Sequence, residues 1–376
     1  MKKAIITQKQ GVSAIVMFII GSSVLMIMGL ESKMNIWAAI LIALAASTLI
    51  MLIYARLMSV LPGKDFYEVL EHFFGKVWSK VIIALLTWFC FDLCAIVLRN
   101  FGQFVVTVGL PETPLAAAFF IMIVVCALAV RSGGETLMRW NEIFVFLVGG
   151  FLLAGMLLVS PNMDFNNLQP AFDDGFAPIA QGAFGVITFP FAETVVFLLV
   201  FNAFAKNVSA KKVYLRGLLI GGGIILITSL TAILVLGTTL AENMYYPMYS
   251  TMSAVHFGDF LQRFEVIAAI VFILSVFLKV AVLLIGASKG VARLLGFKDH
   301  RFIIYPIMFL VVNFALFSFD SMIYFHEWTF NVFPYYSVFF EVLIPLVVWI
   351  VVEVKVRKEH AAGSKKTAPA NRESVS

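Results

Sequence analysis

Long apolar stretches alternate with short polar segments along most of the chain. A helix needs about 20 apolar residues to cross the roughly 30 Å hydrocarbon core of a bilayer. Lipid offers no hydrogen-bond partner to an open backbone, so such spans are expected to be α-helical. The pattern predicts ten transmembrane helices, at 11–30, 36–59, 80–108, 114–130, 141–160, 177–203, 213–240, 265–294, 302–319 and 334–353.

The composition agrees with this all-α integral membrane architecture. Of the 376 residues, 61% are apolar and only 13% are charged. Soluble domains have about 45–50% apolar and about 25% charged residues, so a soluble enzyme is excluded.

The distribution of Lys and Arg predicts the orientation of the spans. Of the 27 basic residues, 23 lie in the N-terminal arm, the even-numbered loops and the C-terminal tail. The opposite side has Lys33 and Arg263, and Arg99 and Lys279 lie inside spans. Basic residues concentrate on the cytoplasmic side, so both termini are expected to be cytoplasmic. The net charge of +5 therefore reflects topology, and nucleic-acid binding is excluded.

The spans form one polytopic domain over residues 1–353, in two halves at 11–160 and 177–353. The first span has no cleavage-site pattern and is expected to be retained. A short interfacial helix is predicted within 61–80. The outer loop 241–264 is either a cap over a vestibule or an amphipathic surface loop. The polar segment 354–376 is expected to be a disordered cytoplasmic tail.

Two spans contain weak points at matching depths. Gly lowers helix propensity and Ser can bond the backbone, which weakens span 1 at 21–23. Proline removes an amide donor and clashes with the preceding turn, which weakens span 6 at 188–193. The residues at these points that we expect to bind a ligand are Gly21, Ser22, Ser23, Thr188, Phe189, Pro190 and Phe191.

Each weak point lies in the first span of one half of the chain. The first of these spans begins on the inside and the second on the outside, so the two halves are inverted. Interrupted helices at corresponding positions of inverted repeats mark the binding site in many transporters. Freed amides at such a break suit a carboxylate, and freed carbonyls suit an ammonium group. A simple kink at Pro190 and a small-residue packing face at Gly21 are the alternatives.

Ionisable side chains within spans are costly and tend to be functional. Asp92, Glu193 and Lys279 are predicted near mid-depth, where they are candidates for ion or proton coupling. Lys279 is interpreted as a tethered cation, a proton carrier or a structural partner of Asp92 or Glu193. Arg99 is expected to be structural, and Glu341 to enter the helix bundle with an unidentified partner.

No set of residues points to catalysis. The sequence lacks a Ser-His-Asp cluster, a zinc-protease motif and a phosphate-binding loop, and its five His residues lie outside the predicted spans. The three Cys residues lie within spans and are interpreted as small packing residues rather than a metal site. We expect no enzymatic activity, no cofactor and no metal.

These features resemble a known group of proteins. Ten spans with breaks in the first and sixth are similar to the amino acid–polyamine–organocation superfamily and its LeuT-like five-plus-five inverted repeat. More narrowly, the chain resembles the B subunits of spore germinant receptors from Thr7 to about Val354. The most specific similarity is the segment entering span 6, Asp164–Pro170 followed by Gly175, Pro178, Gly182 and Phe189–Glu193.

The resemblance implies a nutrient sensor in a bacterial cell membrane or spore inner membrane. Such subunits bind a small nutrient, often an amino acid, and act with a membrane A subunit and a lipoprotein C subunit. By position, the resemblance adds Leu93 to the ligand-binding residues and places Lys279 at the same pocket. Span 1 departs from relatives by carrying Gly-Ser-Ser where they often have Gly-x-Gly.

Three functions stay open at this point: a receptor subunit, a proton-coupled amino acid permease, and a scaffold that binds nothing. A ligand can shift a conformational equilibrium only through different affinities for the two states.

Overall fold

The computed structural model describes residues 6–201, 208–254 and 265–366. Parts of two predicted segments, the outer loop at 255–264 and the tail at 367–376, lie outside the described residues. The described residues form helices and turns without a β-strand. The bounds of the α-helices are Gln8–Ile20 (α1), Ile36–Ser59 (α2), Phe66–Phe104 (α3), Leu115–Ser132 (α4), Gly134–Val159 (α5), Ala177–Val186 (α6), Phe197–Val200 (α7), Ala210–Ala241 (α8), Pro247–Ser253 (α9), Glu265–Leu295 (α10), Ile304–Phe317 (α11), Met322–Asn331 (α12), Phe333–Val338 (α13) and Ile344–Lys366 (α14).

Eight of the described helical stretches are long and apolar enough to cross a membrane. A ninth arises if α11 and α12, bent by 101° relative to each other, form one span. The first predicted span corresponds to the shorter apolar helix α1 and the turns after it. The chain is therefore an all-helical, multi-pass membrane protein, and the count of ten spans stays a prediction.

Helix α1 lies at the centre of the bundle, packed against α5, α8 and α10. Its residues from Ser13 to Ile20 are all buried. Gly217 lets α8 approach this helix closely, because a Cβ at that position would lie 2.5 Å from Cγ2 of Ile15. Small residues allow such backbone contact between membrane helices.

The predicted interfacial helix is present as the first part of α3. A capping box at Asp65 begins it, and Gly75, with a φ of 71°, separates it from the long membrane helix that follows. The apolar residues that recur at helical spacing in this segment all lie buried against the bundle: Phe66, Val69, Leu70 and Phe73. Glu71 forms an ion pair with Arg293 of α10 at 2.8 Å, which fixes the segment to a second helix.

The C-terminal segment differs from the predicted tail. Helix α14 continues past residue 353 as far as Lys366. Glu353 pairs with Arg56 of α2 at 2.5 Å, and the Lys355 ammonium donates to the carbonyl of Phe73. These contacts give the segment partners in the bundle, so the helix does not end where its apolar stretch does.

Candidate functional site

The first part of the site is the end of α1. The helix stops at Ile20, and Gly21 leaves helical geometry with φ 5° and ψ −108°. The Ser23 hydroxyl donates towards the carbonyls of Ile19 and Ile20, at 2.5 and 3.1 Å. It thereby occupies backbone acceptors that the helix end leaves open. Turns then carry the chain to Leu30.

The second part follows α6. Residues Ile187–Phe191 form a wide π-type turn, and Phe189 has the extended angles φ −124° and ψ 114°. A 3₁₀ segment, Ala192–Val196, follows the turn. The Thr188 hydroxyl donates to carbonyls of the preceding turn, so this side chain supports the backbone. The helical path is thus interrupted in the segment predicted from the position of Pro190.

Lys279 of α10 joins the two segments. Its Nζ lies 2.5 Å from Oε2 of Glu193 and 3.1 Å from Oγ of Ser22. The same ammonium lies 4.9 Å from the ring centre of Phe18 and 5.0 Å from that of Phe189. Lys279 and Glu193 are both fully buried. Such an ion pair needs additional hydrogen bonds to offset desolvation, and Ser22 supplies one.

Gly21 makes room for the lysine. A Cβ at this position would lie 2.5 Å from Cδ of Lys279 and 2.7 Å from the carbonyl oxygen of Phe18. Gly21 therefore contacts the aliphatic part of the lysine and does not line the neighbouring cavity. The role predicted for it as a ligand contact stays untested, and its visible role is to seat Lys279.

Asp92 does not join this cluster. Its carboxylate accepts a hydrogen bond from the hydroxyl of Tyr336, which in turn accepts from Nε1 of Trp88 at 2.9 Å. Of the two partners considered for Lys279, the structure selects Glu193. Arg99 is also separate, because its guanidinium donates to the carbonyl of Ala315 at the end of α11. A cation at a helix C-terminus is stabilised by the helix dipole.

A second buried carboxylate, Glu341, lies in the π-type turn Phe339–Leu343. It is fully buried and within electrostatic range of Glu193 and Lys279. The Tyr54 hydroxyl lies 2.5 Å from the backbone carbonyl of Glu341 and 3.1 Å from that of Ala192. Tyr54 thus connects α2 to the 3₁₀ segment that contains Ala192 and to the π-type turn that contains Glu341. The sequence singles out Glu341 because it is an ionisable residue inside a predicted span. Its proximity to Glu193 and Lys279 depends on how the helices pack and cannot be inferred from the sequence pattern.

An apolar cavity lies beside the ion pair. The cavity is narrow, with about 20 Å³ open to the centre of a water-sized sphere, so a larger ligand enters only when lining side chains move apart. Of the predicted ligand-binding residues it is lined by Ser22, Leu93 and Phe189, and Glu193 contributes its carboxylate. Ser23, Thr188, Pro190 and Phe191 do not line it. The remaining lining residues are Met26, Ile96, Val97, Asn100, Phe325, Thr329 and Phe333.

The sequence pattern did not predict the wall formed by Phe325, Thr329 and Phe333. Phe325 and Thr329 belong to α12, which falls between two predicted spans, and Phe333 begins α13 one residue before the predicted span 334–353. The sharp bend after α11 directs this short helix towards α13 and the cavity. At ten residues, α12 is too short for a transmembrane span, so the sequence pattern gave no signal for it.

A wider recess adjoins the cavity. It offers about 220 Å³ to a water-sized sphere and is lined by Glu31, Glu242, Tyr245 and His326, among others. Met26 borders both the recess and the cavity, so its side chain separates the two spaces. Part of the wall comes from Met244, Tyr245 and Pro247, and the choice between a cap and a surface loop for 241–264 stays a prediction.

The cysteines lie apart from the cavity and the ion pair. Cys90, Cys94 and Cys126 are buried free thiols, and Cys90 packs where a Cβ at Gly286 would lie 2.9 Å from its Sγ. Among residues 6–201, 208–254 and 265–366, no group of three His, Cys, Asp or Glu side chains is placed to hold a metal ion.

The fold and the buried site together define a class: multi-pass membrane proteins with a LeuT-like transporter fold. MhsT, solved in complex with L-phenylalanine, has a TM-score of 0.67 and 11% identity, over 94% of this chain and 89% of MhsT. Mhp1, a nucleobase-cation-symport-1 family transporter solved closed with bromovinylhydantoin, has a TM-score of 0.69 and 11% identity, over 92% of this chain and 77% of Mhp1. At this identity the similarity concerns the fold alone.

The family follows from sequence. A family model described as "Spore germination protein" matches residues 5–322, so the chain belongs to the spore germination protein family. Spore germination protein KB of Bacillus subtilis (strain 168) is 28% identical over 375 residues, covering 97% of this chain and 99% of that protein. The putative spore germination protein YfkT of the same organism is 26% identical, over 86% of this chain and 89% of that protein.

Proposed function

We propose that this chain is the nutrient-binding subunit of a spore germinant receptor. A small nutrient, an amino acid, occupies the cavity between the two non-helical segments and triggers germination. The observation that carries the proposal is the position of the cavity, which borders Ser22 on one segment and Phe189 and Glu193 on the other. A ligand there contacts both segments at once.

The lining of the cavity suits a small amphiphilic molecule. Most of its surface is apolar, while Glu193 and Asn100 supply polar groups. Ligand sites commonly combine an apolar wall with a few placed polar groups. Oε1 of Glu193 has no hydrogen-bond partner among the described residues and can accept from an ammonium group. L-phenylalanine bound to MhsT, on the same fold, supports an amino acid as ligand class.

Binding becomes a signal if the ligand has different affinities for two arrangements of the bundle. Lys279 connects α10 to both segments, so a ligand that moves Phe189 or Ser22 also changes the surroundings of the ammonium. The chain acts as a sensor without catalysis. Its partners are a membrane A subunit and a lipoprotein C subunit, and both of its termini lie in the cytoplasm, which the positive-inside distribution of Lys and Arg supports.

The second candidate is a proton-coupled amino acid permease. The fold shared with the transporter Mhp1 and the buried Lys279–Glu193 pair favour it. The two functions use the same cavity and differ in whether the ligand crosses the membrane.

Spores that lack their other germinant receptors provide the test. We expect germination on a mixture of the twenty L-amino acids when this chain is produced with A- and C-type subunits. We expect no response when any one of the three subunits is omitted. Leu93→Phe, which fills the cavity, should abolish the response. The matched control is Leu85→Phe on the same helix, at a half-buried position outside the cavity. A full response without this chain would contradict the proposal.

A further inference from the structure

The buried core contains more negative than positive groups. Lys279, Glu193 and Glu341 are each fully buried, and one ammonium lies within electrostatic range of two carboxyl groups. Lys279 hydrogen-bonds Glu193, whereas neither carboxyl oxygen of Glu341 has a hydrogen-bond partner among the described residues. The charge of Lys279 is therefore already paired with Glu193.

Among the described residues, Glu341 has only partial compensation, from the nearby Ser337 hydroxyl and from Lys279, which is already hydrogen-bonded to Glu193. Tyr54 of α2 faces its backbone carbonyl rather than its carboxyl group. On α13, the Ser337 hydroxyl lies near the Glu341 carboxyl group but is placed to donate to the carbonyl of Pro334 at 3.5 Å, and the Tyr336 hydroxyl interacts with Asp92 of α3. On α14, the next acidic or basic side chain is Glu353, which is paired with Arg56.

A second carboxylate without a counter-charge is expensive in this environment. An unpaired buried ion costs several kcal/mol, and a carboxyl group in that position is normally neutralised instead. A metal ion could neutralise it, but the part of the chain that the structure describes places no three suitable side chains around one point. A proton needs only the carboxyl group itself.

We propose that Glu341 is a proton-binding site, and that it carries a proton at neutral pH while Glu193 remains ionised beside Lys279. In this state the three side chains have no net charge. When the O–H bond of Glu341 breaks, the proton leaves for solvent and the core becomes singly negative. A cationic group in the cavity next to Glu193 restores neutrality, so its arrival favours that release. Only this last consequence rests on the proposed function.

Infrared spectroscopy of the full chain in lipid nanodiscs at pH 7 tests the site without any nutrient. A protonated carboxylic acid has a carbonyl-stretch band, separate from carboxylate bands, that shifts in heavy water. We expect this band in the wild type and its loss in Glu341→Gln, which replaces a neutral acid with a neutral amide of the same shape. Asp92→Asn is the matched control, a buried carboxyl outside the cluster, and should leave the Glu341 contribution in place.

Lys279→Gln should change the same carbonyl-stretch band in the opposite direction, which makes it an independent test. Without the ammonium both Glu193 and Glu341 must be neutral, so the band should grow by about one carboxylic acid per chain. This comparison holds even if Glu341→Gln does not fold. A band of unchanged size in Glu341→Gln, or no growth in folded Lys279→Gln, would overturn the proposal. Because no ligand is present, its failure would leave the nutrient-binding function standing.

Discussion

Nζ of Lys279 lies 2.5 Å from Oε2 of Glu193, and this buried contact links α10 to the 3₁₀ segment that follows Pro190. The Oγ of Ser22, just beyond the end of α1, accepts a hydrogen bond from the same ammonium at 3.1 Å. Two non-helical segments and one continuous helix therefore meet at a single charged group. The cavity proposed to bind the nutrient lies against this junction.

Loss of Lys279 should destabilise the protein. Lys279→Met leaves Glu193 buried without its partner, so the side chain must take up a proton or stay charged at high cost, and removing one member of a buried ion pair costs about 3–5 kcal/mol. The double variant Lys279→Met, Glu193→Leu removes both charges and should lose less than the single variant. Thermal unfolding in detergent measures both, with Lys298→Met at an exposed loop position as the control. A double variant less stable than Lys279→Met would contradict this account of the pair.

Gly21→Ala should weaken nutrient binding. The new methyl group collides with Cδ of Lys279, and because the carbonyl of Phe18 blocks the other direction, the lysine has to move. A cost of about 1.4 kcal/mol passed on to binding lowers affinity tenfold. Equilibrium binding of labelled L-amino acids measures the effect. Gly150→Ala is the matched control, since a Cβ there meets no atom within 4 Å, and it should bind as the wild type does.

Gly217→Ala should separate α8 from α1. Its Cβ would lie 2.5 Å from Cγ2 of Ile15. Overpacking of this kind costs about 1–3 kcal/mol of folding free energy. Thermal unfolding should show a clear loss for Gly217→Ala. Gly223→Ala on the same helix has open space around its Cβ and should be neutral or slightly stabilising, because Ala favours the helix. Equal losses in the two variants would refute close α1–α8 packing as the cause.

Sequence patterns went far in predicting the helices and the two weak points. Gly21 and Pro190 act on their own backbone, so their effects are local and can be inferred from residue type. The apolar faces of the interfacial segment likewise follow from helical spacing, as at Phe66 and Phe73. Each of these features depends on neighbours close in the chain.

The composition of the site could be predicted only in part. Whether Lys279 pairs with Asp92 or Glu193 depends on how distant spans rotate against each other, which hydropathy does not specify. Glu341 was recognised as a charge in a span, but its position near Glu193 comes from packing of the last helices. The wall from α12 was missed because a ten-residue helix carries no transmembrane signal.

The central claim is that the cavity beside Lys279 and Glu193 binds an amino acid as part of a sensor. The most direct measurement uses proteoliposomes containing this chain alone, labelled L-amino acids and an imposed inward proton gradient. We predict saturable binding without accumulation, abolished by Leu93→Phe and retained by Leu85→Phe. Accumulation above equilibrium that a protonophore abolishes would contradict the sensor and establish a permease, and binding unaffected by Leu93→Phe would contradict the site.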